Sequence, residues 1–115
     1  MTALTPADPS IGVYAAVRDA ANWLDEHNGA DQAELAARIL KLVEEAGEAA
    51  AAWIGATGQN PRKGTTHSYA DVAAELADAA FAALVAIESL GNDPATAMAA
   101  VAGKMTARMR PAAVL

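Results

Sequence analysis

The sequence predicts an all-α fold, a single four-helix bundle-like domain, and three observations support this prediction. A chain of 115 residues and 11.7 kDa is long enough for one domain with one core. Hydrophobic residues make up 54% of the chain but aromatic residues only 4%, and the abundant alanine favours helices whose backbones pack closely. Four segments have apolar residues spaced by three and four positions, as amphipathic helices do.

The first two helices are predicted over residues 9–27 and 32–54. Asp8 can cap the first helix, and Pro9 suits its first helical position. Asp31, which a glutamate follows three residues later, has the capping pattern that opens the second helix. That helix should continue until the glycine-rich segment that follows it.

The last two helices are predicted over residues 69–90 and 94–110. The long connection before them, residues 55–67, contains three glycines, a proline and basic residues without any apolar periodicity, so we expect a loop there. Ser68 and Asp93 are suited to cap the helices that follow them. The whole chain is therefore expected to form one helical domain.

Charge and composition exclude several classes of protein. Eight Lys and Arg residues against 14 Asp and Glu residues give a formal charge of −6, which disfavours duplex nucleic acid as a partner. The absence of cysteine excludes thiol nucleophiles and cysteine metal sites. No uncharged apolar stretch reaches the roughly 18 residues of a membrane helix, and the first residues lack the features of a secretory signal. We therefore expect a cytoplasmic protein that contacts no membrane.

The second helix contains three carboxylates within five residues, Glu44, Glu45 and Glu48. Glu44 and Glu48 form a like-charge pair one turn apart, which destabilises an isolated helix. Lys41 can reach the first two carboxylates, but it precedes them, which is the weaker orientation. The acids of this helix are therefore poorly neutralised by its own cations.

The third helix carries a second acidic pair, Glu75 and Asp78. Residues 76–87 are apolar around the whole helix except at Asp78, so this aspartate is expected to be buried. A buried carboxylate needs a proton, an ion-pair partner or a metal ion. On facing antiparallel helices, Glu45 and Glu48 would meet this second pair, and four such oxygen ligands suit Mg²⁺ or Mn²⁺ and a phosphate-bearing substrate.

Two other interpretations of the acids compete with the metal site. Acid-rich helix faces are usually solvated surface, and the cluster on the second helix alone would favour that interpretation; the apolar surroundings of the second pair favour the metal. A ferritin-like di-iron bundle needs Glu-x-x-His on two helices. That interpretation fails, because neither His27 nor His67 follows a glutamate by three residues.

The segments KLVEEAGEAAAAW and DVAAELADAAFAALVAIESLG, separated by a loop, resemble the all-α nucleoside triphosphate pyrophosphohydrolases of the MazG-like family over roughly residues 32–110. The family's E-E-x-x-E and E-x-x-D motifs match Glu44-Glu45-x-x-Glu48 and Glu75-x-x-Asp78. The resemblance implies that Glu45, Glu48, Glu75 and Asp78 bind Mg²⁺, with Mn²⁺ as an alternative. It implies that Glu44 orients the attacking water or ligates a further ion. The reaction it implies is hydrolysis of a nucleoside triphosphate between the α and β phosphates, giving the monophosphate and pyrophosphate.

Basic and aromatic side chains supply the candidates for binding the rest of the substrate. The phosphate candidates are Lys104, Arg108, Arg62 and Lys63. Solvated positions at a helix end or in an exposed turn would explain the same four cations. Trp23 is the candidate platform for the base, whereas Trp53 lies on the apolar stripe of the second helix and is expected in the core, as are the methionines of the fourth helix.

The resemblance also implies association, because family members form dimers or tetramers with active sites near the interface. A homo-oligomer is therefore expected to complete the bundle. The alternative function is a non-catalytic helical module that binds nucleotide or only oligomerises. The phosphoribosyl-ATP pyrophosphatases of histidine synthesis share the four acids, but their sequence after E-x-x-D differs from the AAFAALVAI found here, so that branch is not favoured.

Overall fold

A computed structural model describes residues 12–110, and within this range the chain forms four helices and no strand. The helices are α1 (Val13–Asn28), α2 (Gln32–Thr57), α3 (Tyr69–Ser89) and α4 (Pro94–Met109). The all-α prediction is therefore confirmed. Across these four helices, none combines the length and the hydropathy needed to cross a bilayer.

The largest difference from the predicted boundaries is at the start of the first helix. The helix begins at Val13, because Gly12 has a φ of 76°, outside the helical region. The predicted cap, Asp8 with Pro9, lies outside the described residues. The second helix continues through Gly55 to Thr57 and ends at Gly58, whose left-handed conformation terminates it.

The three other predicted N-caps are present in the structure. The side chains of Asp31, Ser68 and Asp93 each accept a hydrogen bond from a backbone N–H in the first turn of α2, α3 and α4. The Asp71 carboxylate in turn accepts a hydrogen bond from the backbone N–H of Ser68, which completes a capping box. At the start of α4, hydrogen bonds from the hydroxyl and the backbone N–H of Thr96 hold the pKa of Asp93 below its ordinary value.

The packing centres on α3, which contacts α2 along much of its length and α1 on another side. Val17, Ala21 and Val85 form the buried core between α1 and α3, with Leu24 and Phe81 packed against it. Small residues, including Ala49 and Ala52 of α2 and Ala79 of α3, are buried as well. Such small side chains allow the helix backbones to approach closely.

The fourth helix is the least integrated element, because it meets α3 at only a few positions. The radius of gyration is 17.7 Å, against about 13 Å for a compact domain of this length. The prediction that the methionines of this helix are core residues is wrong for a single chain, since Met98 and Met105 are about 40% exposed and Met109 is 74% exposed. Trp53 is also half exposed and stacks on Tyr69, so its core assignment is wrong too.

Candidate metal centre and adjoining cavity

The pairing of α2 with α3 brings the two acidic motifs together. Glu45, Glu75 and Asp78 each place a carboxylate oxygen within 4.8 Å of the others. Glu44, Glu45 and Glu48 form a second group that meets the same distance limit. Because Glu45 belongs to both groups, the five carboxylates form one continuous acidic cluster across two helices. Glu48 meets the distance limit together with Glu44 and Glu45 of its own helix, whereas the group that spans α2 and α3 contains Glu45 and not Glu48.

The acidic cluster has a partly desolvated centre. The Glu45 side chain is only 12% exposed, and one oxygen of Glu75, Oε2, is buried without a hydrogen-bond partner. A buried acceptor with no donor is costly, and a proton on the neighbouring Glu48, a water or a bound ion would each supply a partner. A hard divalent cation would provide the missing partner, and carboxylate oxygens are the ligands that Mg²⁺ and Mn²⁺ prefer.

The electrostatics of the cluster also favour a cation. The negative charge of Glu45, followed by desolvation and the charge of Glu75, raises the pKa of Glu48 above its ordinary value. Lys41 forms ion pairs with Glu44 at 2.6 Å and with Glu45 at 3.1 Å, and hydrogen bonds to these carboxylates raise the pKa of Lys41. Within residues 12–110, no other basic side chain forms an ion pair with these acids.

The predicted burial of Asp78 is wrong for a single chain, because this aspartate is exposed. Its neighbour Leu76 is also 55% exposed. The apolar residues around this part of α3 are partly covered, because α2 packs against one side of the helix. Asp78, however, lines an open cavity and does not lie in the core. Its proximity to Glu45 and Glu75 does not depend on burial.

A cavity of about 620 Å³ lies between α1, α2 and α3, and two members of the acidic cluster, Glu45 and Asp78, line it. Its wall is mostly apolar, with two aromatic rings and a few polar groups. The lining residues are Ala20, Trp23, Leu24, Asn28, Glu34, Ala37, Arg38, Lys41, Glu45, Asp78, Phe81, Ala82 and Val85. Largely apolar concavities with a few convergent polar groups are typical of small-molecule sites.

Trp23 is the one predicted substrate-binding residue that the structure brings to this cavity. Its ring stacks on His27 with centroids 4.1 Å apart, and His27 Nδ1 lies 2.8 Å from the Trp23 carbonyl oxygen. The indole is nevertheless 56% exposed. An accessible indole beside an acidic cluster could stack on a flat ring system.

The guanidinium of Arg38 fixes the end of the cavity away from the acids. It donates to Glu34 at 2.8 Å, to Asp25 at 2.8 Å, to the Gly29 carbonyl at 2.9 Å and to the Ser89 hydroxyl at 3.0 Å. Burial alone would lower the pKa of Arg38, but the hydrogen bonds to Glu34 and Asp25 outweigh it and raise the pKa. Because its donors are occupied by protein groups, Arg38 links three helices and is not a free phosphate ligand.

The two loop cations lie at the other end of α2. The Thr66 N–H donates to the Gly55 carbonyl at 2.9 Å, which folds the loop back on the helix, and Lys63 lines a smaller cavity of about 230 Å³ there. Gly55 is seven residues beyond Glu48, or about 10 Å along the helix axis. The structure of one chain therefore does not bring Arg62 or Lys63 to the acids.

The candidates on α4 are also separate from the cluster. Lys104 and Arg108 are exposed, line neither cavity, and form no ion pair with any residue in the described range.

Sequence reasoning missed Arg38 as a central residue and underrated Lys41. The available signal for Arg38 was Glu34, one turn before it on the same helix, a favourable spacing for an ion pair. Nothing local indicated its contacts with Asp25 and Ser89, because those are tertiary.

Comparisons with protein-family models, with curated proteins and with solved structures each found no match. The assignment of a function therefore depends on the two acidic motifs and on the geometry around them.

Proposed function

We propose that this protein is a metal-dependent pyrophosphohydrolase that cleaves nucleoside triphosphates between the α and β phosphates, in the cytoplasm. The observation that carries this proposal is the meeting of Glu45, Glu75 and Asp78 across two helices, beside a buried oxygen that lacks a partner. Glu45, Glu48, Glu75 and Asp78 would hold Mg²⁺ or Mn²⁺. Such an ion, when bound, neutralises the polyphosphate and lowers the pKa of a bound water.

The chain's own residues have separate tasks in this proposal. Glu44 lies on the outer side of the cluster and would accept a proton from the attacking water or orient it. Trp23 would stack on the base, and the apolar wall around Phe81 would exclude water from the nucleoside. The cavity leads to the acids, so a nucleoside held there would direct its phosphates towards them.

We further propose that the active form is a homodimer or a homotetramer. Large apolar side chains are exposed on all four helices, including Leu40 and Val43 on α2 and Leu76 on α3. Exposed large apolar side chains in this number are typical of subunits that associate. Association could also bring Lys104 and Arg108 of α4 to the phosphates.

The deciding experiment is pyrophosphate release from a panel of canonical and modified nucleoside triphosphates, with Mg²⁺, Mn²⁺ or EDTA. Glu75→Gln and Asp78→Asn should abolish release while the helical circular dichroism spectrum is kept. Asp19→Asn is the matched control, because Asp19 is an exposed aspartate on α1 outside the cluster and the cavity, and this variant should hydrolyse like the wild type.

The same experiment tests the alternative function. Wild-type rates in Asp78→Asn would refute the metal centre. Nucleotide binding without release of pyrophosphate would instead favour a non-catalytic nucleotide-binding module. Light scattering should give a mass that is a multiple of 11.7 kDa, and a monomer at all concentrations would refute the oligomer.

A further inference from the structure

Lys41 occupies a position that the proposed function leaves unexplained. Its ammonium lies 2.6 Å from a Glu44 oxygen and 3.1 Å from a Glu45 oxygen, inside the acidic cluster. Its side chain is half exposed and lines the cavity together with Trp23 and Asp78. One cation thus contacts both the candidate ligands and the candidate substrate cavity.

An ammonium and a divalent ion cannot both occupy this position. Glu45 belongs to both groups of candidate ligands, so an ion bound by either group would share the Glu45 carboxylate with Lys41. Two cations a few ångströms apart repel each other, and the repulsion is stronger at a partly desolvated carboxylate than in open water. A metal ion that enters the cluster should therefore displace the ammonium.

The displaced side chain would remain at the wall of the cavity, which Lys41 lines. Lysine has a flexible four-carbon stem with a mobile charged end. The other carboxylate nearby on α2 that lines the cavity, Glu34, is already paired with Arg38. An anionic group bound at the edge of the cavity is then the partner that remains.

We propose that Lys41 is an exchangeable counterion: its ammonium neutralises Glu44 and Glu45 in the metal-free protein, leaves them when a divalent ion binds, and then contacts the polyphosphate of the substrate. The second half of this proposal rests on the proposed function, whereas the first half requires only the metal site.

The test measures two affinities separately in Lys41→Met, Lys41→Arg and a control. The first is the affinity for Mn²⁺ alone, followed by electron paramagnetic resonance. The second is the affinity for a nucleoside triphosphate analogue with a methylene bridge between the α and β phosphates, at saturating Mn²⁺. Arg18→Met is the control, because it also removes one positive charge but lies outside the cavity and pairs with Glu88 on another part of α3.

The two affinities of Lys41→Met should change in opposite directions. Its affinity for Mn²⁺ should rise about three- to tenfold, because a competing cation is gone, and its affinity for the analogue should fall about fivefold. Lys41→Arg keeps the charge and should retain most of the analogue affinity. Arg18→Met should change neither value. A residue with only a structural role would weaken both.

Unchanged or weaker Mn²⁺ binding by Lys41→Met overturns the proposal. If the wild-type protein does not bind the analogue while Lys41→Met still binds Mn²⁺ more tightly, the counterion exchange is supported and the nucleotide function is refuted. If Asp78→Asn binds Mn²⁺ as well as the wild type does, there is no metal site and both proposals fail.

Discussion

Replacing Arg38 by methionine should destabilise the protein by about 2 to 3 kcal/mol. The guanidinium is 4% exposed and its partner Glu34 is 16% exposed, so the loss of this charge-assisted hydrogen bond costs about 2 kcal/mol. The pair with Asp25 adds about 0.5 kcal/mol, because that carboxylate is half exposed and screened by water. The Ser89 hydroxyl loses a hydrogen bond worth about 0.5 kcal/mol, and the carbonyl of the exposed Gly29 exchanges its bond for one with water at little cost. Methionine keeps the apolar stem, so packing changes little.

The assay is urea unfolding followed by circular dichroism, at one protomer concentration for all variants because association affects apparent stability. In a thermal melt of the same variants, this loss of stability would lower the melting temperature by about 10 °C. Arg38→Lys keeps the charge but loses the planar guanidinium with its several donors, and it should lower the free energy of unfolding by about 1 to 2 kcal/mol. Arg18→Met removes an exposed ion pair at 3.6 Å and should cost less than about 0.5 kcal/mol. If Arg38→Met is as stable as Arg18→Met, Arg38 does not stabilise the protein by linking three helices, and the assignment is refuted.

Three further predictions follow from other parts of the structure. Trp23→Ala should weaken nucleotide binding about tenfold in a fluorescence titration, whereas Trp53→Ala, which removes the equally exposed indole outside the cavity, should not; equal effects would contradict the base platform. Gly55→Ala should lower the stability by about 1 to 3 kcal/mol, measured by urea unfolding, because a methyl group there would collide with the loop that folds back on α2. Gly103→Ala meets no neighbouring atom and should not destabilise, so a similar loss in both variants would count against the docked loop. The lowered pKa of Asp93 means that its cap contributes stability above about pH 4, the unfolded pKa, and loses it as the pH falls through the folded pKa. The melting temperature of Asp93→Asn should therefore change less than that of the wild type between about pH 4 and 2, and parallel curves would refute this linkage.

The helices could be predicted well from the sequence because their signals are local. Apolar spacing and capping residues such as Asp31 and Ser68 act within one turn, and the structure retains them. The exposure of Trp53 and of the methionines on α4 could not be predicted, because burial depends on which elements meet. Periodicity shows that a helix has an apolar face, but not whether the same chain covers it.

The same distinction applies to the candidate site. The spacing of three residues within each acidic pair fixed which carboxylates share a face, so the meeting of Glu45 with Glu75 and Asp78 was predictable once α2 and α3 were paired. The cavity and the links made by Arg38 were not, because they need the position of α1 relative to both helices. The position of the loop cations was not predictable for a related reason, since it depends on the loop folding closely against Gly55 at the far end of α2.

The exposure of Asp78 and the uncovered apolar faces have one physical cause in a single chain. Three helices pack well enough to bring the carboxylates together, but α4 meets α3 at only a few positions, and many large apolar side chains stay uncovered. A bound cation would relieve the repulsion within the cluster, and a second copy of the chain would cover the exposed apolar surface. If that copy covers the side of α3 around Leu76, it also removes water from the neighbourhood of Asp78, and the electrostatic interaction of the carboxylates with a cation becomes stronger. Under the proposed function, metal binding and association are therefore coupled, since each improves the conditions for the other.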